Sequence, residues 1–393
     1  MKIKSIYIGG WFQRTTLQLS EVYDFLREGT SQIGLDAAEL QTLHDNLQIE
    51  SIEYGVANEE FVIFTTADKL RVKLYEDGLI MIHSDDVNED TMMSEAERLR
   101  NYYETCLSPA INYLFSTGAP VFKELSKVEN IYPYFVICDN VPPEKLSELL
   151  VKTERQKYFE FDNKNYTVLR GDKFYFINNK KTNPANLERY VEEQIFIREF
   201  KGQLHRYLNL HRAIWGKIDR IKRQAEFTHD ELLQNEADLE RYAKTTMLIC
   251  GRLEQMATYV QVRADAARDD KDLVEFLTLS GYRYPALRGT LTYMQSLWQT
   301  TGAYIKSGQK FLLRVANERL LAQLKTIAVL LGALVLISVL GLIFGTALKF
   351  SIDTIIYIAI LVIAGVVGVQ LCRSLMNKKQ VSMISKEREQ DEA

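Results

Sequence analysis

Two long apolar stretches lie near the C-terminal end of the sequence. Residues 326–348 and 354–372 contain no charged side chain. Each stretch is long enough to cross a hydrocarbon core of about 30 Å at about 1.5 Å of rise per residue. The alternative is a pair of buried core helices, but apolar runs of this length rarely occur in soluble cores. The pattern therefore predicts a transmembrane hairpin over residues 326–372, with membrane lipid as a partner.

Basic side chains at the edges of the two stretches predict the orientation of this hairpin. Arg319 and Lys325 precede the first stretch, and Arg373, Lys378 and Lys379 follow the second. Because Lys and Arg are enriched on the cytoplasmic side of membranes, both termini are expected in the cytoplasm. The chain is thus predicted to be a multi-pass protein of the inner membrane, and residues 373–393 form a charged cytoplasmic tail.

The first part of the chain, residues 1–182, mixes short alternating runs with helical spacing. Asp77 and Gly78 separate two alternating runs, which is a strong signal for a β-hairpin. A helix is predicted over residues 91–115, and Pro109 is expected to kink it. The pattern predicts an α/β cytoplasmic domain with mostly antiparallel strands.

Residues 183–325 change to long charged helices that contain few helix breakers. Helices are predicted over 184–225 and 228–268, and Thr228 followed by Glu231 forms a capping box at the start of the second. The last helix starts near Ala286 and continues into the first apolar stretch. This pattern predicts a helix bundle and a stalk that enters the membrane.

A repeat of three- and four-residue steps runs along this stalk, and it has the spacing of a coiled-coil seam. Its members are Leu291, Met294, Trp298, Thr301, Ile305, Gly308, Leu312, Val315, Arg319 and Ala322. Two interpretations remain open: the helix packs on its own neighbours, or it associates with copies of itself around an axis. Small residues in the seam favour the second interpretation, because they let several helices approach closely.

Composition and motifs exclude several classes of function. The 393-residue chain has a formal net charge of -4, which argues against direct nucleic-acid binding. The four cysteines show no metal-finger spacing, and no Walker sequence, dinucleotide fingerprint or hydrolase motif is present. The chain is therefore expected not to be an enzyme, and no cofactor is predicted with certainty.

Small and polar residues in the first apolar stretch are the candidates for lining a pore. Ser338, Gly341 and Gly345 follow each other at three- and four-residue steps, so they share one helix face, and Thr346 adds a hydroxyl. Polar groups in a membrane span usually face the interior of a bundle. Plain packing within the hairpin is the alternative role for this face.

Two charged clusters are candidate binding sites, although such clusters more often form solvated surfaces. The first is a basic run that fits a small anionic nucleotide, with the candidates Arg212, Lys217 and Arg220. The second is an acidic cluster at a helix break that fits a divalent cation, with the candidates Asp269, Asp270 and Asp272.

Local sequence around the first stretch resembles the CorA class of divalent-cation channels. The stretch Asn317-Glu318-Arg319-Leu320, followed by Lys325, is similar to the family's Asn-x-Arg-Leu sequence at the membrane entry. Phe344-Gly345-Thr346-Ala347 stands where the family has an aromatic-Gly-Met-Asn sequence, so Met and Asn are missing. The resemblance implies a homo-oligomer, expected to be a pentamer, whose first span lines the pore and whose second span faces lipid.

The resemblance also implies a function. Some divergent relatives that lack this motif accompany CRISPR systems as membrane effectors opened by a nucleotide second messenger. The expectation is a CorA-like ion channel or transporter, gated by a ligand of its cytoplasmic domain and acting in antiviral defence. A divalent cation is the rival ligand. The alternative is a membrane-anchored sensor or interaction protein that does not conduct. The expected architecture is CorA-like: an α/β domain, a long helical stalk and two C-terminal transmembrane helices.

Overall fold

The computed structural model describes most of the chain as far as Ile343. The described ranges are 3–12, 18–32, 34–56, 59–85, 87–114, 131, 133–153, 157–224, 226–268, 270–279 and 283–343, without the side chains of 279 and 339–343. The chain divides into two compact units. The first contains Met1–Leu210 and Met247–Trp298, and the second contains His211–Thr246 and Gln299–Ala393. The domain boundaries drawn from the sequence, at residues 182 and 325, stay a prediction.

The first unit is built on a nine-stranded sheet. Its strands are β1 (Ile3–Trp11), β2 (Ile49–Val56), β3 (Glu60–Thr66), β4 (Arg71–Tyr75), β5 (Leu79–Asp85), β6 (Tyr134–Asp139), β7 (Phe159–Asp162), β8 (Tyr166–Arg170) and β9 (Phe174–Asn179). The spatial order is β2-β3-β4-β5-β1-β6-β9-β8-β7. Within this sheet only β6 and β9 pair in parallel, so the prediction of mostly antiparallel strands is confirmed.

Short helices cover the sheet of the first unit. They are α1 (Leu19–Glu28), α2 (Ala37–Leu47), α3 (Met92–Tyr102), α4 (Ser108–Leu114) and α5 (Pro143–Thr153). The helix predicted over residues 91–115 is interrupted, because a π-helical turn occupies Tyr103–Leu107. Pro109 lacks the N–H that would reach back into this turn, and the amide of Ser108 donates instead to the carbonyl of Tyr103, five residues earlier.

Four further helices follow, and three of them are long. They are α6 (Pro184–Arg223), α7 (His229–Arg268), α8 (Lys271–Leu279) and α9 (Tyr284–Ile343). The predicted capping box is confirmed at the start of α7, where Thr228 Oγ1 accepts from the amide of Glu231 at 3.2 Å. Glu231 Oε2 in turn accepts from the amide of Thr228 at 2.7 Å. The bounds of α6, α7 and α9 also confirm the predicted long helices and a stalk helix without a break as far as Ile343.

The heptad seam of α9 packs on the chain's own helices as far as Leu312. In the first unit Trp298 is fully buried, and its ring meets that of Tyr207 edge-on at 6.5 Å. In the second unit a Cβ placed on Gly308 would lie 3.2 Å from Ile218 and 3.3 Å from Leu239. The interpretation of this seam as a surface for copies of the chain is wrong up to Leu312, because the small residues admit α6 and α7 of the same chain.

Candidate functional site

A second apolar seam lies on α9, one residue and thus about 100° around the helix from the buried seam. It advances by three- and four-residue steps, apart from one seven-residue step across the polar Asn317, and each apolar member is at least half exposed. Its described members are Leu313, Leu320, Leu324, Ile327, Leu331 and Leu334. Among the residues described, nothing covers these side chains. We call this set the uncovered seam.

The uncovered seam continues into the predicted pore face. The next position after Leu334 is Ser338, and Gly341 follows three residues later within α9. Ser338 Oγ donates to the carbonyl of Leu334 at 2.9 Å, so its hydroxyl is satisfied within its own helix. Gly345 and Thr346, the other predicted pore residues, lie outside the described residues.

The apolar part of α9 is long enough to cross a membrane. It contains a window of 18 residues with membrane-like composition, and none of that window is buried inside the chain. A soluble core helix of this length would be mostly covered, whereas this one is bare. The second predicted span, residues 354–372, lies outside the part of the chain that the structure describes, so the two-span hairpin stays a prediction.

The first unit contains a buried charge network around Arg263 on α7. Its guanidinium contacts three carboxylates: Asp77 at 2.5 Å, Glu193 at 3.1 Å and Glu59 at 3.4 Å. The guanidinium also lies 4.5 Å from the centre of the Phe196 ring. These contacts tie the β4–β5 turn and α6 to α7, because a buried charge needs partners to be stable.

The network reaches the first residue of α9. The hydroxyl of Tyr284 donates a short hydrogen bond to Glu193 Oε2. Burial raises the pKa of Tyr284, and Glu193 adds to this effect, so the phenol keeps its proton. Burial also raises the pKa of Glu193, against the opposing effect of Arg263. The start of the stalk is therefore fixed to buried charges.

Glu59 is the member of the network that titrates near neutral pH. Burial is the largest cause and raises its pKa to about 7, although Arg263 acts in the opposite direction. Arg263 itself keeps its charge: burial alone would lower its pKa, but Asp77, Glu193 and Glu59 raise it well above its usual value. The network thus gains or loses a proton at Glu59 rather than at its cation.

Lys73 forms a second half of the network beside a cavity of about 270 Å³. Its ammonium lies 2.9 Å from Glu192 and 3.5 Å from Glu188, and Tyr75 donates to Glu192 as well. Among the described residues, the two halves bring five carboxylates, Glu59 and Asp77 among them, into ion-pair contact with two cations, Arg263 and Lys73. Such an excess of acid in a largely buried site favours proton uptake.

Sequence reasoning missed this network, although one signal was present. Asp77 reads as a turn residue, and the turn is confirmed, since Gly78 has φ 93° and its amide donates to Tyr75 at 2.9 Å. The same aspartate is buried against Arg263. The signal was Glu192 and Glu193 within an otherwise apolar run, because acidic residues on a buried face need a cationic partner.

The predicted nucleotide candidates lie on α6 in the second unit. Lys217 lies 3.6 Å from Asp238, and Arg220 donates to the carbonyl of Gly216 at 3.3 Å. Arg212 is exposed. Two of the three candidates therefore already have partners within their own unit, and their role as ligand residues stays a prediction.

The predicted metal candidates have structural roles where they are described. Asp270 pairs with Arg189 at 3.2 Å and caps α8 by accepting from the amide of Leu273 at 2.9 Å. Asp272 is exposed in the first turn of α8, and Asp269 lies outside the described residues. Within the described ranges, no group of three or more His, Cys, Asp or Glu side chains is arranged to hold a metal ion.

Comparison with known proteins gives little further information. No family model matches the chain, and no curated protein matches it. Among solved structures, the chain is similar to the CorA magnesium transporter from Methanocaldococcus jannaschii, with 10% sequence identity over 63% of this chain and 91% of that one. The TM-score of 0.29 is too low to support a conclusion about function. The functional interpretation therefore depends on this chain's own contacts.

Proposed function

We propose that the chain is a homo-oligomeric membrane protein in which α9 lines an ion path and the large body outside the membrane controls that path. The proposal makes it a non-enzymatic channel or transporter of the inner membrane, with both termini in the cytoplasm. Pentameric assembly and a role in CRISPR-associated antiviral defence are further hypotheses that rest on the sequence resemblance alone.

The uncovered seam is the single observation that carries this proposal. An apolar side chain exposed to water is unfavourable by roughly 25 cal/mol per Å². Leu320 and Leu324 precede the first charge-free stretch, so lipid tails alone do not account for their exposure. Copies of α9 packed through the same face would cover them, and that face leads to Ser338 and Gly341.

Control from outside the membrane is supported by the continuity of α9. The helix runs from Tyr284 to Ile343 without a break. Its first residue is bonded to the charge network through Glu193. A ligand or proton that binds the two states of the network with different affinity shifts the population of those states, and α9 transmits the shift.

Ion flux through liposomes that contain the purified protein tests the proposal. Gly341→Phe should abolish flux, because a phenyl ring on the shared face fills a narrow axis. Gly332→Phe is the matched control: it lies off the seam, and a Cβ there meets no atom within 4 Å. The control should conduct as the unchanged protein does.

The same experiment separates the proposal from a non-conducting membrane-anchored sensor. A sensor forms the same assembly but gives no flux in the unchanged protein under any condition that the body recognises. Equal flux in both glycine variants would contradict a path along the Ser338 face.

A further inference from the structure

A groove with a basic and apolar lining lies at the start of α9 in the first unit. Its volume is about 440 Å³, within the range of about 300–1,000 Å³ that is typical of small-molecule sites. The walls are the end of α7, one side of α8 and the first turns of α9. Three arginines line it, Arg268, Arg283 and Arg288, and no acidic side chain is among the lining residues that the structure describes.

Two of these arginines have no ion-pair partner among the described residues. Arg268 is held by Asp265 at 2.5 Å on its own helix. In contrast, neither Arg283 nor Arg288 forms an ion pair within the described ranges, and the Nε atom of Arg288 is buried there without a hydrogen-bond partner. A buried donor without a partner is unfavourable, so an acceptor that reached this Nε would be bound with a gain in free energy.

Apart from Thr278, the rest of the lining is largely apolar, and it meets the first turn of α9. Val274 and Leu277 come from α8, and Tyr284 and Pro285 come from α9. Arginine binds phosphate through two parallel hydrogen bonds. The groove thus combines positive charge at one wall with a surface suited to an apolar or aromatic group.

We propose that this groove binds a phosphate-bearing ligand with an apolar or aromatic body, held by Arg283 and Arg288. This assigns the anion site to the start of the stalk rather than to the basic run on α6. Binding at the groove does not depend on the proposed function, whereas any effect of the ligand on ion flux does.

Tyr284 gives the ligand a route to the charge network. Its ring lines the groove, and its hydroxyl donates to Glu193. A ligand that contacts the ring therefore shifts the same residue that fixes the start of α9. Tyr284→Phe removes the hydrogen bond and keeps the ring, so it should change the effect of the ligand on flux more than it changes binding.

Equilibrium dialysis of the full-length protein in detergent tests the proposal, with adenosine 5′-monophosphate, phenyl phosphate and inorganic phosphate as probes. The first two should bind more tightly than inorganic phosphate. Arg283→Gln and Arg288→Gln should each weaken binding about tenfold or more. Arg241→Gln is the control, because Arg241 is an exposed α7 arginine outside the groove, and it should bind as the unchanged protein does.

Thermal unfolding of each variant checks that the fold is intact. The proposal is overturned if the unchanged protein binds none of the probes at about 1 mM, or if both groove variants bind normally. If inorganic phosphate binds as tightly as the two organic phosphates, the proposal that the apolar lining binds the body of the ligand is overturned. If the ligand binds but does not change ion flux, the groove is still a binding site, and only its link to the proposed function is contradicted.

Discussion

The two parts of α9 carry apolar seams of the same spacing, but the first seam is covered by other helices and the second is exposed. In the first part, the seam that ends at Leu312 is filled by the chain's own helices, and Leu312 is only 5% exposed. In the second part, the seam through Leu320 and Leu324 is bare, with exposures of 58% and 52%. Spacing therefore identifies an apolar face, but it does not identify the surface that covers that face.

The small residues of the helix teach the same lesson. Gly308 lies where α6 and α7 come close, so its role is internal packing. A Cβ on Gly332 meets no atom within 4 Å. Gly289, in the covered part, also meets no atom within 4 Å, so a glycine marks a close contact only where a neighbouring helix lies against it.

The largest expected effect is a loss of stability in the covered part of α9, whose first residue, Tyr284, is bonded to the charge network. Arg263→Met leaves Asp77, Glu193 and Glu59 without their cation and should destabilise the protein by about 3–5 kcal/mol. Chemical unfolding of the solubilised protein measures it. The control Arg241→Met should change stability by less than about 0.5 kcal/mol, since the Arg241 side chain is exposed and Asp238 keeps Lys217 as a partner. Equal losses in both variants would contradict a special role for Arg263.

A matched pair of leucines tests the comparison directly. Leu312→Ala should cost about 2–5 kcal/mol of stability, because it opens a cavity in the covered seam. Leu320→Ala, eight residues later, should change the stability of the folded units by less than about 0.5 kcal/mol. It should instead weaken assembly, measured by dilution of the solubilised protein. Similar stability losses for the two leucines would mean that the second seam is covered within the chain.

Val315→Pro breaks α9 between Leu312, the last covered member of the first seam, and Leu320 in the uncovered seam. A proline in a helix interior costs about 3 kcal/mol and kinks the axis. We expect ligand binding in the body to persist while the ligand loses its effect on flux. Both are measured on this one variant, and normal opening by ligand would show that α9 does not transmit the signal.

The smallest expected effect is the pH dependence from Glu59. Its folded-state pKa of about 7 lies above that of the unfolded chain, so the folded protein binds this proton more tightly. The resulting stability is fully present at low pH and falls as pH rises through about 7, by about 1–3 kcal/mol. Glu59→Gln should reduce this slope in unfolding experiments between pH 5 and 8, whereas the exposed Glu50→Gln should not. An unchanged slope in Glu59→Gln would exclude Glu59 as its source.

Local patterns predicted local structure well. The Asp77-Gly78 hairpin, the Thr228 capping box and the uninterrupted α9 follow from turn chemistry, capping and periodicity, and all three are confirmed. The π-helical turn before Pro109 was missed, because only the loss of the proline N–H is visible in sequence, and not how the helix adapts.

The candidate sites depended on long-range contacts that no local pattern contains. Arg263 meets Asp77 across 186 positions of sequence, and Tyr284 meets Glu193 across 91. Of the groove arginines, Arg268 ends α7, whereas Arg283 and Arg288 lie five residues apart at the start of α9, so no basic run marks them. The predicted pore face differs, because Ser338 and Gly341 lie on one helix and helical spacing alone brings them to one side; its role stays a prediction.

The central claim is that copies of the chain cover the uncovered seam of α9. The most direct test is the mass of the purified full-length protein in detergent, measured by light scattering with the detergent contribution subtracted. The account predicts a single species that contains several chains and that dissociates when Leu320 and Leu324 are both changed to Lys. A particle with one chain at all protein concentrations would contradict it.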